Sequence, residues 1–88
     1  MENQISVIIP CYNEEKIIYR NAIKVFNYLK ERFKNFEIIV VNDGSKDRTI
    51  EELRKLENFI KIKVINNKKN QGKVKAVRDG ILRSNAML

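Results

Sequence analysis

The stretch ISVIIPCYNEE (residues 5–15) decides the fold, and IIVVNDGSKDRT (residues 38–49) follows the same order of residue types. In both, a short apolar run rich in β-branched residues, which favour strands, ends in a polar loop. In an open parallel sheet, ligands bind in the crevice at the carboxyl ends of the strands. The two polar loops therefore predict one shared site, in an α/β domain that holds a nucleotide.

The residues around these two runs predict helices. Apolar residues recur at the helical period between the runs, and Asn13 is a good N-cap for the helix they predict. Asp47 is predicted to cap the second helix. The further predicted elements are a first helix over residues 14–33, a second over residues 47–57 or 49–57, a third strand over residues 61–65 and a last helix from Lys73.

Strands that alternate with helices of this length indicate βαβ units with right-handed crossovers and a parallel sheet. The near-continuous apolar runs are typical of strands that are buried on both faces. We therefore predict one three-layer, Rossmann-like α/β domain over residues 1–88, with βαβαβα connectivity. Its three parallel strands are expected in the order 3-2-1, with helices on both faces.

Length and composition limit the class of protein. The 88 residues allow one domain at most, and no apolar run approaches the roughly 20 residues that span a bilayer. The first ten residues carry no signal-peptide pattern, so we expect a cytoplasmic protein. The chain has no histidine and a single cysteine, Cys11, which excludes a Cys/His zinc site, a serine–histidine relay and an internal disulfide.

The net charge of +7 lies in the last third of the chain. Residues 1–60 carry ten basic and ten acidic side chains, whereas residues 61–88 carry eight basic side chains against Asp79. Such a cluster attracts a sugar-nucleotide pyrophosphate, a lipid phosphate, an anionic membrane surface or nucleic acid. Alternatively, it is a solvated surface. Residues 61–88 contain no aromatic residue that could stack on bases, which argues against nucleic acid.

The two loops lack the glycine patterns of common phosphate-binding loops. Neither G-x-G-x-x-G nor G-x-x-x-x-G-K-[ST] is present. The first loop instead offers Tyr12, whose ring has a flat apolar face on which a base can stack. The Asp43 carboxylate can accept a hydrogen bond from the imide N–H of uracil or guanine, or from a ribose hydroxyl. Gly44 lets the chain turn sharply after Asp43.

Three motifs together resemble a known family. VIIPCYNEE (residues 7–15), IIVVNDGSKDRT (residues 38–49) and NQGKVKAVRDG (residues 70–80) resemble, in this order and spacing, the amino-terminal half of family 2 glycosyltransferases with the GT-A fold. The third motif is most similar to the branch that makes polyprenyl-phosphate sugars, the dolichyl-phosphate mannose and glucose synthases. The resemblance implies transfer of a sugar from a UDP- or GDP-sugar to a polyprenyl phosphate or a saccharide acceptor.

The resemblance implies roles for five residues. Pro10, Tyr12 and Glu14 fall where the family's first loop holds the base and ribose. Asp43 falls on the family's nucleotide-binding aspartate, and Lys73 lies in the segment that approaches the donor, where its charge suits a pyrophosphate. Simpler interpretations stay open: Pro10 only ends the strand, Glu14 only complements the helix dipole, and Lys73 is only a solvated lysine. Tyr12 and Asp43 are not needed to close a turn, which favours contact with a ligand.

The chain also departs from the family pattern. Val74 and Lys75 stand where the family usually has further glycines, and the Asp-x-Asp strand that holds Mg²⁺ or Mn²⁺ in the complete family domain has no counterpart here. We therefore expect no catalytic residue and no metal held by this chain alone, and no turnover by the 88 residues. Two other functions stay open: a non-catalytic domain that binds nucleotides or a partner chain, and a basic module that docks on anionic lipid or nucleic acid.

The predicted strand order places the first strand at an edge of the sheet. Residues 5–9 contain no proline and no charge, so this edge is a template for pairing with another chain. We expect a homo-oligomer that forms through the first strand, and peripheral contact with an anionic membrane surface as a second interaction.

Overall fold

The apolar runs and the segments between them form strands and helices in strict alternation. The computed structural model describes residues 4–83, apart from the side chains of Gln4, Lys73, Val74, Ala76, Asp79 and Arg83. Within that range the elements are β1 (Gln4–Cys11), α1 (Ile18–Arg32), β2 (Asn35–Asp43), α2 (Thr49–Leu56), β3 (Lys63–Asn67) and α3 (Lys73–Arg83). The strands pair in parallel in the order β1-β2-β3. The predicted α/β fold, with strand order 3-2-1 counted from the other edge, is confirmed.

The central strand β2 separates two hydrophobic layers. Ile38 and Val40 are buried on one face, against α1 and α2. Ile39 and Val41 are buried on the other face, where they pack with Ile8 and where α3 lies against β1 and β2. Burial on both faces explains why this strand is a continuous apolar run rather than an alternating pattern.

The first helix begins later than predicted. It was expected from residue 14 with Asn13 as its N-cap, but α1 begins at Ile18, and Ile17 at the N-cap position makes no side-chain capping hydrogen bond. Asn13 has a φ of 52°, in the left-handed region, and its side-chain oxygen accepts the N–H of Lys46 (2.7 Å) instead. The N-cap prediction was therefore wrong, because a bond to a distant part of the chain takes the Asn13 side chain.

The strands reach further toward the polar loops than predicted. β1 continues through Pro10 and ends one residue later, at Cys11. β2 continues to Asp43, and β3 covers residues 63–67 instead of 61–65. As a result, Asn42 and Asp43 are fixed in the sheet by pairing with the last residues of β3. The carboxyl end of the sheet therefore presents rigidly held polar side chains.

The helices within residues 4–83 are short. The longest, α1, has 15 residues, and none in this range combines the length and hydropathy that a membrane span requires.

Candidate functional site

A cavity of about 280 Å³ lies at the carboxyl ends of β1 and β2. Three loops surround this end of the sheet: the first loop (residues 12–17), the second loop (residues 44–48) and the third loop (residues 68–72). The cavity is lined by Pro10, Cys11, Tyr12, Glu14, Asp43, Asn70 and Gly72. A cavity of about 310 Å³ lies at the opposite end of the sheet, lined by residues 35–38 and 61–63. Ligands of open α/β sheets bind at the carboxyl ends of the strands, which selects the first cavity as the candidate site.

The structure brings together four of the five residues predicted for the site. Pro10, Tyr12, Glu14 and Asp43 all line this cavity. Tyr12 is 40% exposed, so a face of its ring is accessible, whereas Asp43 is 3% exposed. The side chain of Lys73 lies outside the described residues, and its main chain begins α3 directly after the third loop.

The first loop is held by side chains of the second loop and of the start of α2. Three consecutive N–H groups of the first loop each donate a hydrogen bond to a different side chain. These bonds join Asn13 to Ser45 Oγ (2.9 Å), Glu14 to Thr49 Oγ1 (2.9 Å) and Glu15 to Asp47 Oδ2 (3.2 Å). The second loop therefore fixes the main chain on which Tyr12 and Glu14 are mounted.

Asp47 joins the first loop to α2. Its Oδ1 accepts the N–H of Thr49 (2.9 Å), so the predicted capping contact exists, although the N-cap position itself is Arg48. Partial desolvation opposes ionisation of Asp47, but hydrogen bonds from Thr49 and Glu15 outweigh it and lower the pKa of the carboxyl below its ordinary value. Asp47 is therefore ionised while it holds the first loop.

Asp43 holds the third loop. One oxygen of its carboxylate accepts the N–H of Gln71 and the other accepts the N–H of Gly72, both at 3.0 Å. The Gly72 N–H is also directed at the side-chain oxygen of Asn70 (2.9 Å). A carboxylate has about four acceptor positions, so Asp43 retains acceptor capacity toward the cavity.

A chain of hydrogen bonds crosses the end of the sheet beside the cavity. The Ser45 hydroxyl, which accepts from the first loop, donates to Asn42 Oδ1. The amide nitrogen of Asn42 then donates to Asn66 Oδ1 (2.9 Å), at the end of β3. Asn42 is almost fully buried, and this chain satisfies its side chain on both ends.

The cavity contains no activated nucleophile among the described side chains. Burial, together with the negative charges of Glu14, Asp47 and Asp43, raises the pKa of the Cys11 thiol to about 12. The thiol is therefore protonated at neutral pH. Among the side chains that the structure describes, no group of three or more Asp, Glu or Cys is placed to hold a metal ion.

Sequence reasoning missed the residues that position the site. Asn42, Ser45, Thr49 and Asn66 bond to loops or to a neighbouring strand and do not line the cavity, and Asn13 was assigned to helix capping. The sequence feature that these residues share is a run of short polar side chains after an apolar strand. Such side chains bond readily to nearby main chain, but the sequence alone does not show to which loop.

Comparisons with known proteins show which family this chain matches. The family model described as glycosyl transferase family 2 matches residues 6–86. A dolichyl-phosphate beta-glucosyltransferase of Trichomonas vaginalis is 39% identical over 90 residues, which cover 96% of this chain and 28% of that protein. The dolichyl-phosphate beta-glucosyltransferase of Homo sapiens is 40% identical over 89 residues, which cover 92% of this chain and 28% of that protein. The chain thus spans about a quarter of the length of the curated relatives it matches.

A solved structure shares the fold. The mannosyltransferase PcManGT from Pyrobaculum calidifontis, in complex with GDP-Man and Mn²⁺, superposes with a TM-score of 0.80. The match covers 96% of this chain and 25% of the mannosyltransferase, at 20% sequence identity. At that identity the likeness concerns the arrangement of strands and helices.

Proposed function

The chain belongs to glycosyl transferase family 2, and from that premise we propose that it supplies the donor-nucleotide pocket of a glycosyltransferase. The observation that supports this most is the cavity at the carboxyl ends of β1 and β2, which is lined by Pro10, Tyr12, Glu14 and Asp43. Its volume of about 280 Å³ is at the lower end of the range for small-molecule sites, which suits a nucleoside rather than a whole sugar nucleotide.

Base recognition is assigned to Tyr12 and Asp43. The exposed face of the Tyr12 ring stacks on the base, and the remaining acceptor positions of Asp43 take the imide N–H of uracil or guanine. Adenine has no imide N–H, so the pocket prefers uridine and guanosine diphosphates. Pro10 and Glu14 complete the wall on the ribose side, and the Glu14 carboxylate is an acceptor for a ribose hydroxyl.

The diphosphate is assigned to the start of α3. Lys73 directly follows Gly72 in the chain, and Gly72 lines the cavity. The main chain of Lys73 is therefore next to the nucleoside pocket. A lysine near that pocket offers a positive charge to a pyrophosphate. The third loop adds Lys68 and Lys69, both exposed.

The reaction we propose is transfer of the sugar to a prenyl phosphate, since two of the relatives described above are named dolichyl-phosphate beta-glucosyltransferases. The bond between the anomeric carbon and the diphosphate oxygen breaks, a bond to an acceptor phosphate oxygen forms, and the nucleoside diphosphate leaves. A saccharide acceptor is the second candidate. A divalent metal, when bound in the complete family domain, neutralises the charge of the leaving diphosphate. Among the described residues we assign donor binding and no catalytic base.

The test is calorimetric titration of the chain with UDP, GDP and ADP. We expect binding of UDP or GDP in preference to ADP, and weakening of about tenfold in Tyr12→Ala, because base stacking is lost. Tyr28→Ala is the matched control, since Tyr28 is a 55% exposed tyrosine on α1 that does not line the cavity. Equal affinity for all three nucleotides, or equal effects of the two substitutions, would contradict the assignment.

A membrane contact is proposed for the basic surface. Lys68, Lys69, Lys75 and Arg78, in the third loop and α3, are exposed, and basic residues of this kind attract anionic headgroups. We expect the chain to sediment with vesicles that contain anionic lipid, less so at high salt, and not with neutral vesicles. Binding to both kinds of vesicle alike would exclude this electrostatic contact.

Self-association through β1 stays a prediction. In the sheet formed by the described residues, β1 is an edge strand. Sedimentation over a concentration series should show a dimer or larger oligomer that dissociates on dilution. A monomer at every concentration would refute it.

A further inference from the structure

Beyond nucleotide contact, we propose that Asp43 and Gly44 are positioning residues that anchor the third loop and so complete the donor pocket that Tyr12 also lines. We call this pair the third-loop anchor. The inference rests on the proposed function for its consequence in binding, but the contact itself is independent of any ligand.

The Asp43 half of the anchor is a pair of charge-assisted hydrogen bonds. The carboxylate receives the main-chain N–H groups of Gln71 and Gly72, the last two residues before α3. These N–H groups have no helical partner of their own, so a buried carboxylate is a favourable acceptor for them. Because Asp43 ends a strand that is buried on both faces, the third loop is fixed to the central strand of the sheet.

The Gly44 half of the anchor is the absence of a side chain. Gly44 has a φ of 69°, and a Cβ at this position would overlap the main-chain nitrogen of Asn70 and the main-chain carbon of Lys69. These are main-chain atoms, which cannot move away as the end of a flexible side chain can. The third loop therefore lies directly on residue 44, and any side chain there displaces it.

The anchor matters for the pocket because the third loop supplies one of its walls. Asn70 and Gly72 line the same cavity as Tyr12, whereas Gly44 does not line it. A change at Gly44 therefore alters nucleotide binding through the position of the loop, while a change at Asp43 alters both the loop and the contact with the base.

This difference gives a test with two readouts. Amide hydrogen exchange of Gln71 and Gly72, measured without nucleotide and relative to core amides of β2, reports the loop contact. Affinity for UDP, GDP and ADP reports the pocket. In Gly44→Ala we expect exchange of both amides to accelerate by about tenfold or more, and UDP and GDP affinities to fall by a similar factor with their preference over ADP retained.

In Asp43→Asn the amide group replaces one acceptor oxygen by a donor, which leaves Gln71 without its partner or Gly72 with the Asn70 side chain alone. We expect the same acceleration of exchange, and in addition a loss of the preference over ADP. If Gly44→Ala does not fold, as judged by its thermal transition, Asp43→Asn carries the test.

Asp47→Asn is the matched control. The Asp47 carboxylate also accepts two main-chain N–H groups, but these belong to Glu15 and Thr49 and not to the third loop. Its substitution should leave exchange of Gln71 and Gly72 unchanged.

The outcomes separate the two proposals. Unchanged exchange of Gln71 and Gly72 in both variants would overturn the anchor, and so would accelerated exchange with unchanged nucleotide affinity in Gly44→Ala. Lost base preference with unchanged exchange in Asp43→Asn would make Asp43 a base contact only. If the unaltered chain binds no nucleotide, both the proposed function and the anchor's role in nucleotide binding fail. Amide exchange of Gln71 and Gly72 still decides whether Asp43 and Gly44 hold the third loop.

Discussion

The first and third loops both line one cavity, but they are held in different ways. The first loop is fixed by hydrogen bonds that are distributed over several side chains, from Asn13 to Thr49. The third loop is held by two bonds to the single carboxylate of Asp43, by close main-chain contact at Gly44 and by the link between Asn42 and Asn66 at its base. The first loop is therefore held by several independent side chains, whereas the third loop depends on contacts at a few neighbouring residues.

This difference predicts different responses to single substitutions. Loss of one contact from the first loop should lower overall stability and leave the loop closed. Loss of one contact from the third loop should open that loop locally, since local opening follows the number of contacts that hold a segment. The chain provides a reporter for each loop: alkylation of Cys11, a buried residue at the end of β1 directly before the first loop, and amide exchange of Gln71 and Gly72 in the third.

The largest expected effect is that of Thr49→Val. Thr49 is fully buried, and its hydroxyl accepts the N–H of Glu14 and donates to Asp47. Removing it leaves a part-buried N–H without a partner, which should cost about 1–3 kcal/mol in the free energy of unfolding. We expect alkylation of Cys11 to accelerate only as much as global unfolding does.

Thr49→Ser is the control for this change, because it keeps the hydroxyl and removes the methyl group. It should keep most of the stability that Thr49→Val loses, as measured by urea denaturation. Alkylation of Cys11 in Thr49→Val that outpaces exchange of the β2 core amides would mean that the first loop opens by itself, and the proposed contrast between the loops would be wrong.

A smaller effect is expected from Asn42→Ala, which removes the side chain that joins the second loop to β3. Asn42 accepts from Ser45 and donates to Asn66, so the substitution should cost about 1–2 kcal/mol. Exchange of Gln71 and Gly72 should accelerate beyond the global change, while Cys11 alkylation should not. Asn66→Ala removes only the bond between Asn42 and Asn66, and Asn66 is exposed. It should show the same local opening of the third loop with a smaller loss of stability. Slower or unchanged third-loop exchange in both variants would contradict the link.

The fold was largely predictable because its information is local. The near-continuous apolar runs at residues 5–9 and 38–41 indicate strands buried on both faces, and the helical period between them indicates a crossover helix. Full burial holds for residues 38–41 of β2, whereas residues 5–9 are only half-buried because β1 lies at the edge of the sheet. The start of α1 was wrong by four residues, because Asn13 bonds to Lys46, thirty-three positions away, instead of capping its own helix. A helix cap can be predicted from neighbouring residues, whereas a contact between two loops cannot.

For the site, sequence reasoning found four of the seven residues that line the cavity, but it missed Asn70, Gly72 and the residues that position the loops. Pro10, Tyr12, Glu14 and Asp43 follow from motifs at the ends of two strands, and the structure brings them together. That Asp43 also receives two N–H groups from the third loop depends on the register of β3 against β2, which no single motif encodes. The nucleotide contacts of these residues remain proposals.

The smallest expected effect concerns the charge of Asp47 and depends on pH. Hydrogen bonds from Thr49 and Glu15 lower its pKa in the folded state, whereas the unfolded chain has the ordinary value of 3.8. A carboxyl with a lowered folded-state pKa stabilises the fold above its unfolded pKa, and this contribution is lost as the pH falls through the folded value. The unaltered chain should therefore be more stable than Asp47→Asn at neutral pH, by less than Thr49→Val costs, and the difference should shrink below about pH 4. Urea denaturation of both chains over a pH series measures it, and the other carboxyls cancel because they titrate in both. A difference that is constant with pH, or that grows in acid, would show that the charge of Asp47 does not hold the first loop.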